Sequence, residues 1–220
     1  MIFPIGDDDS QVDLAPVVTV AIVALNVLVF LYQMTLPAAS LQQFMLAYST
    51  IPREISTGRD LPPTIPVPVY VTLLTAMFMH GGLMHILGNM VYLWVFGNNI
   101  EGALGHVRYL SFYLACGVLA GLTHVTLNPS STIPSLGASG AISGVLGAYL
   151  VMFPKGRVKI LVGRMITETS AWVALGGWIA LQLLSVALSP RNQGGGGVAF
   201  WAHIGGFFAG MILGPVMRRR

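Results

Sequence analysis

Four side chains in this sequence have the types and spacing for acyl-transfer chemistry: Ser139, His203, His85 and Asn89. Ser139 sits in Gly137-Ala138-Ser139-Gly140, at the start of an apolar, glycine-striped segment. A hydroxyl is a weak nucleophile until a base takes its proton, and the imidazole of His203 can do so. His85 and Asn89 are four apart and share one helical face. Both can donate hydrogen bonds to a developing oxyanion, joined by the backbone N–H of Ser139 at a helix N-terminus. The eight acids are Asp7, Asp8, Asp9, Asp13, Glu54, Asp60, Glu101 and Glu168, and none falls inside an apolar segment at the right depth. The economical arrangement is therefore a Ser–His dyad without a buried carboxylate, in which water exclusion and oxyanion stabilisation carry more of the barrier.

The elements that must hold these residues lie in a membrane. Hydrophobic residues make up 55% of the 220 and charged residues 9%, against about a quarter charged in soluble domains. Mean hydropathy is +0.75. Six apolar segments can be drawn, at about 15–32, 79–96, 109–127, 139–153, 171–188 and 198–217. About 20 residues cross a hydrocarbon core of roughly 30 Å. The expected fold is thus an all-α six-helix membrane bundle (15–217), between a short N-terminus (1–14) and a basic tail (218–220). The fourth segment is short, as suits a central helix screened from lipid by its neighbours. The apolar stretch 67–79 lacks the length for another crossing and reads as a re-entrant or interfacial piece. The 34–66 connection, with five prolines, is a long outer loop.

With the N-terminus cytoplasmic, Arg108, Lys155, Arg157, Lys159, Arg164, Arg218, Arg219 and Arg220 lie inside, and Arg53, Arg59 and Arg191 outside. That bias predicts both termini in the cytoplasm. It also explains the net charge of +3 without nucleic acid, because the basic residues fall in loops. The acidic N-terminus does not read as a cleaved leader, so a prokaryotic cell membrane (inner or plasma) is the expected location. Cys116 is the single cysteine, which excludes a disulfide or cysteine metal cluster within one chain. No cofactor or metal is expected.

Segments two, four and six run the same way through the bilayer. Ser139 is 16 residues before Lys155, His203 is 15 before Arg218, and His85 is 16 before Glu101. At 1.5 Å per residue each lies roughly 22–24 Å from its inner boundary, so the three share one depth. Gly140 and Gly144 on segment four, and Gly206, Gly210 and Gly214 on segment six, form stripes that let helices approach closely. Packed in parallel, those stripes bring Ser139 to His203. His80 lies about 140° around a helix from His85 and cannot share its face unless Gly81-Gly82 breaks that helix. Asn26 is expected to bond to a neighbouring helix, Ser143 to pack, and His124 to lie in an outer loop.

These residues together resemble the rhomboid family of intramembrane serine proteases. Gly137-Ala138-Ser139-Gly140 is similar to the family's GxSG. Ala202-His203-Ile204-Gly205-Gly206 through Gly210 is similar to AHxxGxxxG, and His80, His85 and Asn89 to HxxxxHxxxN. Glu101 and Gly105 fit the cytoplasmic turn after segment two. The resemblance implies six helices, a Ser139 nucleophile and a His203 general base. It further implies an oxyanion site from His85, Asn89 and backbone amides, including that of Ser139. The substrates it implies are single-pass transmembrane proteins, cut near the outer leaflet. The 34–66 loop would lie in the membrane interface, and segment five with its outer loop would gate entry. Many relatives place an aromatic residue four positions after the nucleophile, stacked on the catalytic histidine; here that position is Ser143. Two other classes stay open on sequence: a proton- or metal-coupled transporter using His80, His85 and His203, and an inactive relative that binds transmembrane helices.

Overall fold

The structure, a computed structural model, describes residues 2–8, 14–62, 64–163, 165–188 and 199–219. It is mostly helical. Strand β1 (Ile2–Asp7) precedes helices α1 (Val17–Thr35), α2 (Ala38–Tyr48), α3 (Pro52–Thr57) and the single turn α4 (Thr72–Thr75). Then come α5 (Leu83–Leu104), α6 (His106–Leu127), α7 (Ser139–Met152), strands β2 (Arg157–Val162) and β3 (Met165–Ser170), and α8 (Ala171–Leu188) and α9 (Phe200–Met217). Among the described residues, α1, α6, α8 and α9 are each long and apolar enough to cross a membrane. Residues 69–78 form short helical turns that meet α5 at 81°. The break falls at 79–82, so the continuous helix expected over 79–96 starts instead at Leu83 and runs on to Leu104.

Helix α7 is the hub. Every residue from Gly140 to Leu150 is buried, as a short helix surrounded by other helices requires. Its glycines explain the packing. A Cβ on Gly206 would strike the carbonyl of Gly140, one on Gly210 the carbonyl of Gly144, and one on Gly147 the carbonyl of Phe207. The α7 and α9 backbones therefore touch directly along both stripes, where dispersion and close approach replace the absent hydrophobic drive. On α7's other side, the Cβ and Sγ of Cys116 on α6 occupy the space beside Gly144.

Glu101 departs from its expected place as a boundary charge. It lies in the last turn of α5, completely buried, and caps the start of α1. Its carboxylate accepts from the backbone N–H groups of Val18 (2.8 Å) and Thr19 (2.7 Å) and from the Thr19 hydroxyl (2.7 Å). His106 Nδ1 adds a 2.6 Å contact. A helix N-terminus with unpaired N–H groups is where a buried carboxylate is best satisfied. Asn26, expected to reach a neighbouring helix, donates instead to the Ile22 carbonyl within α1 at 2.8 Å.

The all-α expectation needs one addition. β1, β2 and β3 form an antiparallel sheet in that order, with a bulge between Pro4 and Gly6. Val158 and Ile160 alternate with charged residues in β2, and Val158 is fully buried against the helical core. Gly163, at φ +65°, follows β2 in the left-handed conformation that a tight hairpin favours. β3 runs straight into α8, whose backbone start is tied by Ala171 N–H to the Gly156 carbonyl at 2.9 Å. The 34–66 connection is largely helical, through α2 and α3, although α2 buries none of its residues.

Candidate active site

The site forms where α7 begins. Ser139 is its first residue, and the loop before it is pinned by backbone bonds. Thr50 and Ser135 exchange bonds of 2.9 and 2.8 Å, and Gly137 N–H donates to the Ala76 carbonyl at 2.8 Å. Gly137 has φ +121°, where a side chain is strained. A Cβ there would also come 2.7 Å from His85 Nε2 and 3.7 Å from Asn89 Nδ2. The first glycine of the motif is thus required twice, once by the turn and once by the His85 ring against its α-carbon.

Parallel packing of α7 and α9 sets Ser139 Oγ 2.8 Å from His203 Nε2. A hydroxyl proton can pass to an imidazole across that distance. Ser139 also begins a helix, so its own N–H has no carbonyl of the same helix to bond.

On α5, His85 and Asn89 face the same space. Gly81 N–H donates to His85 Nδ1 at 3.3 Å, which leaves the ring proton on Nε2, the nitrogen turned toward Gly137. The segment carrying Gly81 is itself held: Gln33 on α1 accepts from His80 N–H and donates to the His80 carbonyl, both at 3.1 Å. Asn89 Nδ2 is buried with no partner among the described residues. A buried amide without an acceptor is costly, and this one lies on the side of α5 that lines the same cavity as Ser139.

His80 does reach His85, because Gly81 and Gly82 precede the helix; the ring centroids are 5.1 Å apart, edge to face. Both His80 ring nitrogens are buried without hydrogen-bond partners among the described residues. Ser143 donates to the Ser139 carbonyl at 2.6 Å. His124 lies in the last turn of α6 rather than in a loop. Arg164, Arg191 and Arg220, used in the orientation count, lie outside the described residues.

Two residues of α8 complete the surroundings of His203 and were not singled out in the sequence. The Trp178 ring lies 5.9 Å from that of His203 between centroids, tilted by 37°. Gln182 Oε1 lies 2.9 Å from His203 Nδ1. One signal could have found them: a tryptophan and a glutamine four apart on an otherwise apolar segment. The whole arrangement borders a cavity of about 1510 Å³ lined by His85, Asn89, Ser139, Trp178, Gln182 and His203 among others. Polar groups at the end of a short helix are tolerated in a membrane where they face such a space.

Comparison with known proteins agrees with these motifs. The family model described as Rhomboid domain matches residues 68–220. The chain is 30% identical over 199 residues to "Rhomboid protein 1, mitochondrial" of Saccharomyces cerevisiae, covering 88% of this chain and 51% of that protein. It is 33% identical over 196 residues to the human "Presenilin-associated rhomboid-like protein, mitochondrial", covering 86% of this chain and 45% of that one. "RHOMBOID-like protein 5" of Arabidopsis thaliana is 30% identical over 149 residues, or 67% of this chain and 44% of its own. The chain thus spans about half the length of the curated relatives it matches. A family model over most of the sequence, with relatives at this identity, makes the chain a multi-pass membrane protein that belongs to the rhomboid family.

Proposed function

We propose that the protein is an intramembrane serine endopeptidase that cuts single-pass transmembrane substrates near the outer leaflet through a Ser139–His203 dyad. The observation that carries this reading is the 2.8 Å contact between Ser139 Oγ and His203 Nε2 at the edge of the cavity. Ser139 Oγ attacks the scissile carbonyl carbon while its proton passes to His203 Nε2. The carbonyl oxygen becomes an oxyanion, and His85 Nε2–H, Asn89 Nδ2 and the Ser139 N–H are the donors to it. Collapse breaks the C–N bond, His203 returns its proton to the leaving amine, and an ester on Ser139 remains. Water then attacks that ester with His203 again taking the proton, which releases the acid and restores the hydroxyl. Gly140, Gly144, Gly206 and Gly210 serve this chemistry by holding α7 against α9. His80 and Gly137 support the oxyanion side.

Six crossings are the corresponding topology: α1, the α5 segment with its bent approach, α6, the short α7, α8 and α9. The bias of basic residues supports both termini on the cytoplasmic side of a cell membrane. The test is incubation of the purified protein with a single-pass transmembrane substrate. Cleavage by the wild type and none by Ser139→Ala supports the assignment; equal cleavage by both removes it.

A further inference from the structure

We propose that Gln182 is a positioning residue for His203, standing where a catalytic triad would place its acid. The inference rests on the dyad proposed above and goes beyond it. A histidine has two neutral tautomers, and only the one with its proton on Nδ1 leaves the Nε2 lone pair free to accept from Ser139. The hydrogen bond at the other nitrogen decides between them. Gln182 Oε1, 2.9 Å from His203 Nδ1, is an acceptor and so selects Nδ1–H. The His203 ring is then held at both ends, by Gln182 across Nδ1 and by Ser139 across Nε2, with the Trp178 ring beside it.

The choice of an amide instead of a carboxylate has a physical basis. A buried ionised acid is expensive in a membrane, and α8 carries no titratable side chain at all. An amide oxygen supplies the same acceptor without that cost, and it stabilises the imidazolium less than a charge would. Gln182 and Trp178 are four apart, so one face of α8 provides both the acceptor and the ring.

The readout is the rate at which a fluorophosphonate labels Ser139, followed across pH, because it needs the activated hydroxyl but no substrate helix. Among the described residues, the other titratable groups that act on the charge of His203 are His85 from α5 and His124 from α6, and they are unchanged in every variant. Gln182→Leu keeps the volume and removes the acceptor; it is expected to slow labelling about 10- to 100-fold with the melting temperature unchanged. Gln182→Glu restores the acceptor and adds charge. It is expected to recover most of the rate and to move the acidic limb of the profile to higher pH, because a neighbouring carboxylate favours the protonated imidazole. Labelling of Gln182→Leu at the wild-type rate overturns the proposal. So does a Gln182→Glu variant whose acidic limb coincides with the wild type, and this second measurement stands even where the leucine variant fails to fold. A wild type that is not labelled at Ser139 at all fails the dyad itself, which is a different result.

Discussion

Trp178 of α8 packs beside His203 of α9, with ring centroids 5.9 Å apart and tilted by 37°, while Ser143 on α7 turns its hydroxyl back to the Ser139 carbonyl. An aromatic neighbour for His203 thus comes from α8, while α7 offers only the small Ser143 at the position four after Ser139. An adjacent ring limits how far an imidazole can rotate, and contacts of this kind contribute about 0.5–1.5 kcal/mol beyond area burial. Trp178→Ala should therefore slow fluorophosphonate labelling of Ser139 about three- to tenfold, and Trp178→Phe should recover part of that loss.

Asn89 Nδ2 is buried with no partner among the described residues, on the cavity that Ser139 also lines. If it binds the oxyanion, Asn89→Ala should lower kcat about 100- to 1,000-fold and leave KM nearly unchanged. A change confined to KM, in steady-state cleavage of a transmembrane substrate, would assign Asn89 to substrate binding instead.

Gly137 and Gly163 make a matched pair. Both have positive φ, so alanine at either position is strained by about 1–3 kcal/mol. At Gly137 the added Cβ would also strike His85, whereas at Gly163 nothing lies within 4 Å. Gly137→Ala should abolish cleavage, and Gly163→Ala should lower thermal stability alone, with activity per folded molecule retained.

Gly210 and Gly177 separate close approach from simple helix propensity. A Cβ at Gly210 meets the Gly144 carbonyl, so Gly210→Val should push α9 off α7 and leave little folded protein by size-exclusion chromatography. Gly177 on α8 has open space around it, so Gly177→Ala should fold and melt slightly higher, by up to about 1 kcal/mol of helix propensity.

What the sequence carried and what it left out divide along locality. Ser139, His203, His85 and Asn89 were legible because each is a polar residue on an apolar segment, and counting to the next charge puts three of them at one depth. The glycine stripes then told which helices touch, and α7 and α9 do. The count used Glu101 as a surface charge, although it is a buried cap on α1. Its error is small because α5 ends at Leu104, less than one turn later. Gln182 and Trp178 escaped because their partner lies on another helix and no stripe aligns α8 with α9. The sheet escaped for a related reason: β1 pairs with β2 across more than 150 residues, as in Ile2 with Val162, and no local pattern announces such a pairing. Residues 154–170, rich in charge, read as a loop, yet Val158 and Ile160 already alternate as a half-buried strand should.

In the proposed chemistry, everything depends on His203 activating Ser139. The most direct measurement is mass-spectrometric location of a fluorophosphonate adduct on the purified protein, in the wild type and in His203→Ala. The dyad predicts a single adduct on Ser139 in the wild type and its near-complete loss in His203→Ala. An adduct on another residue, or equal labelling of Ser139 without the histidine, would contradict it.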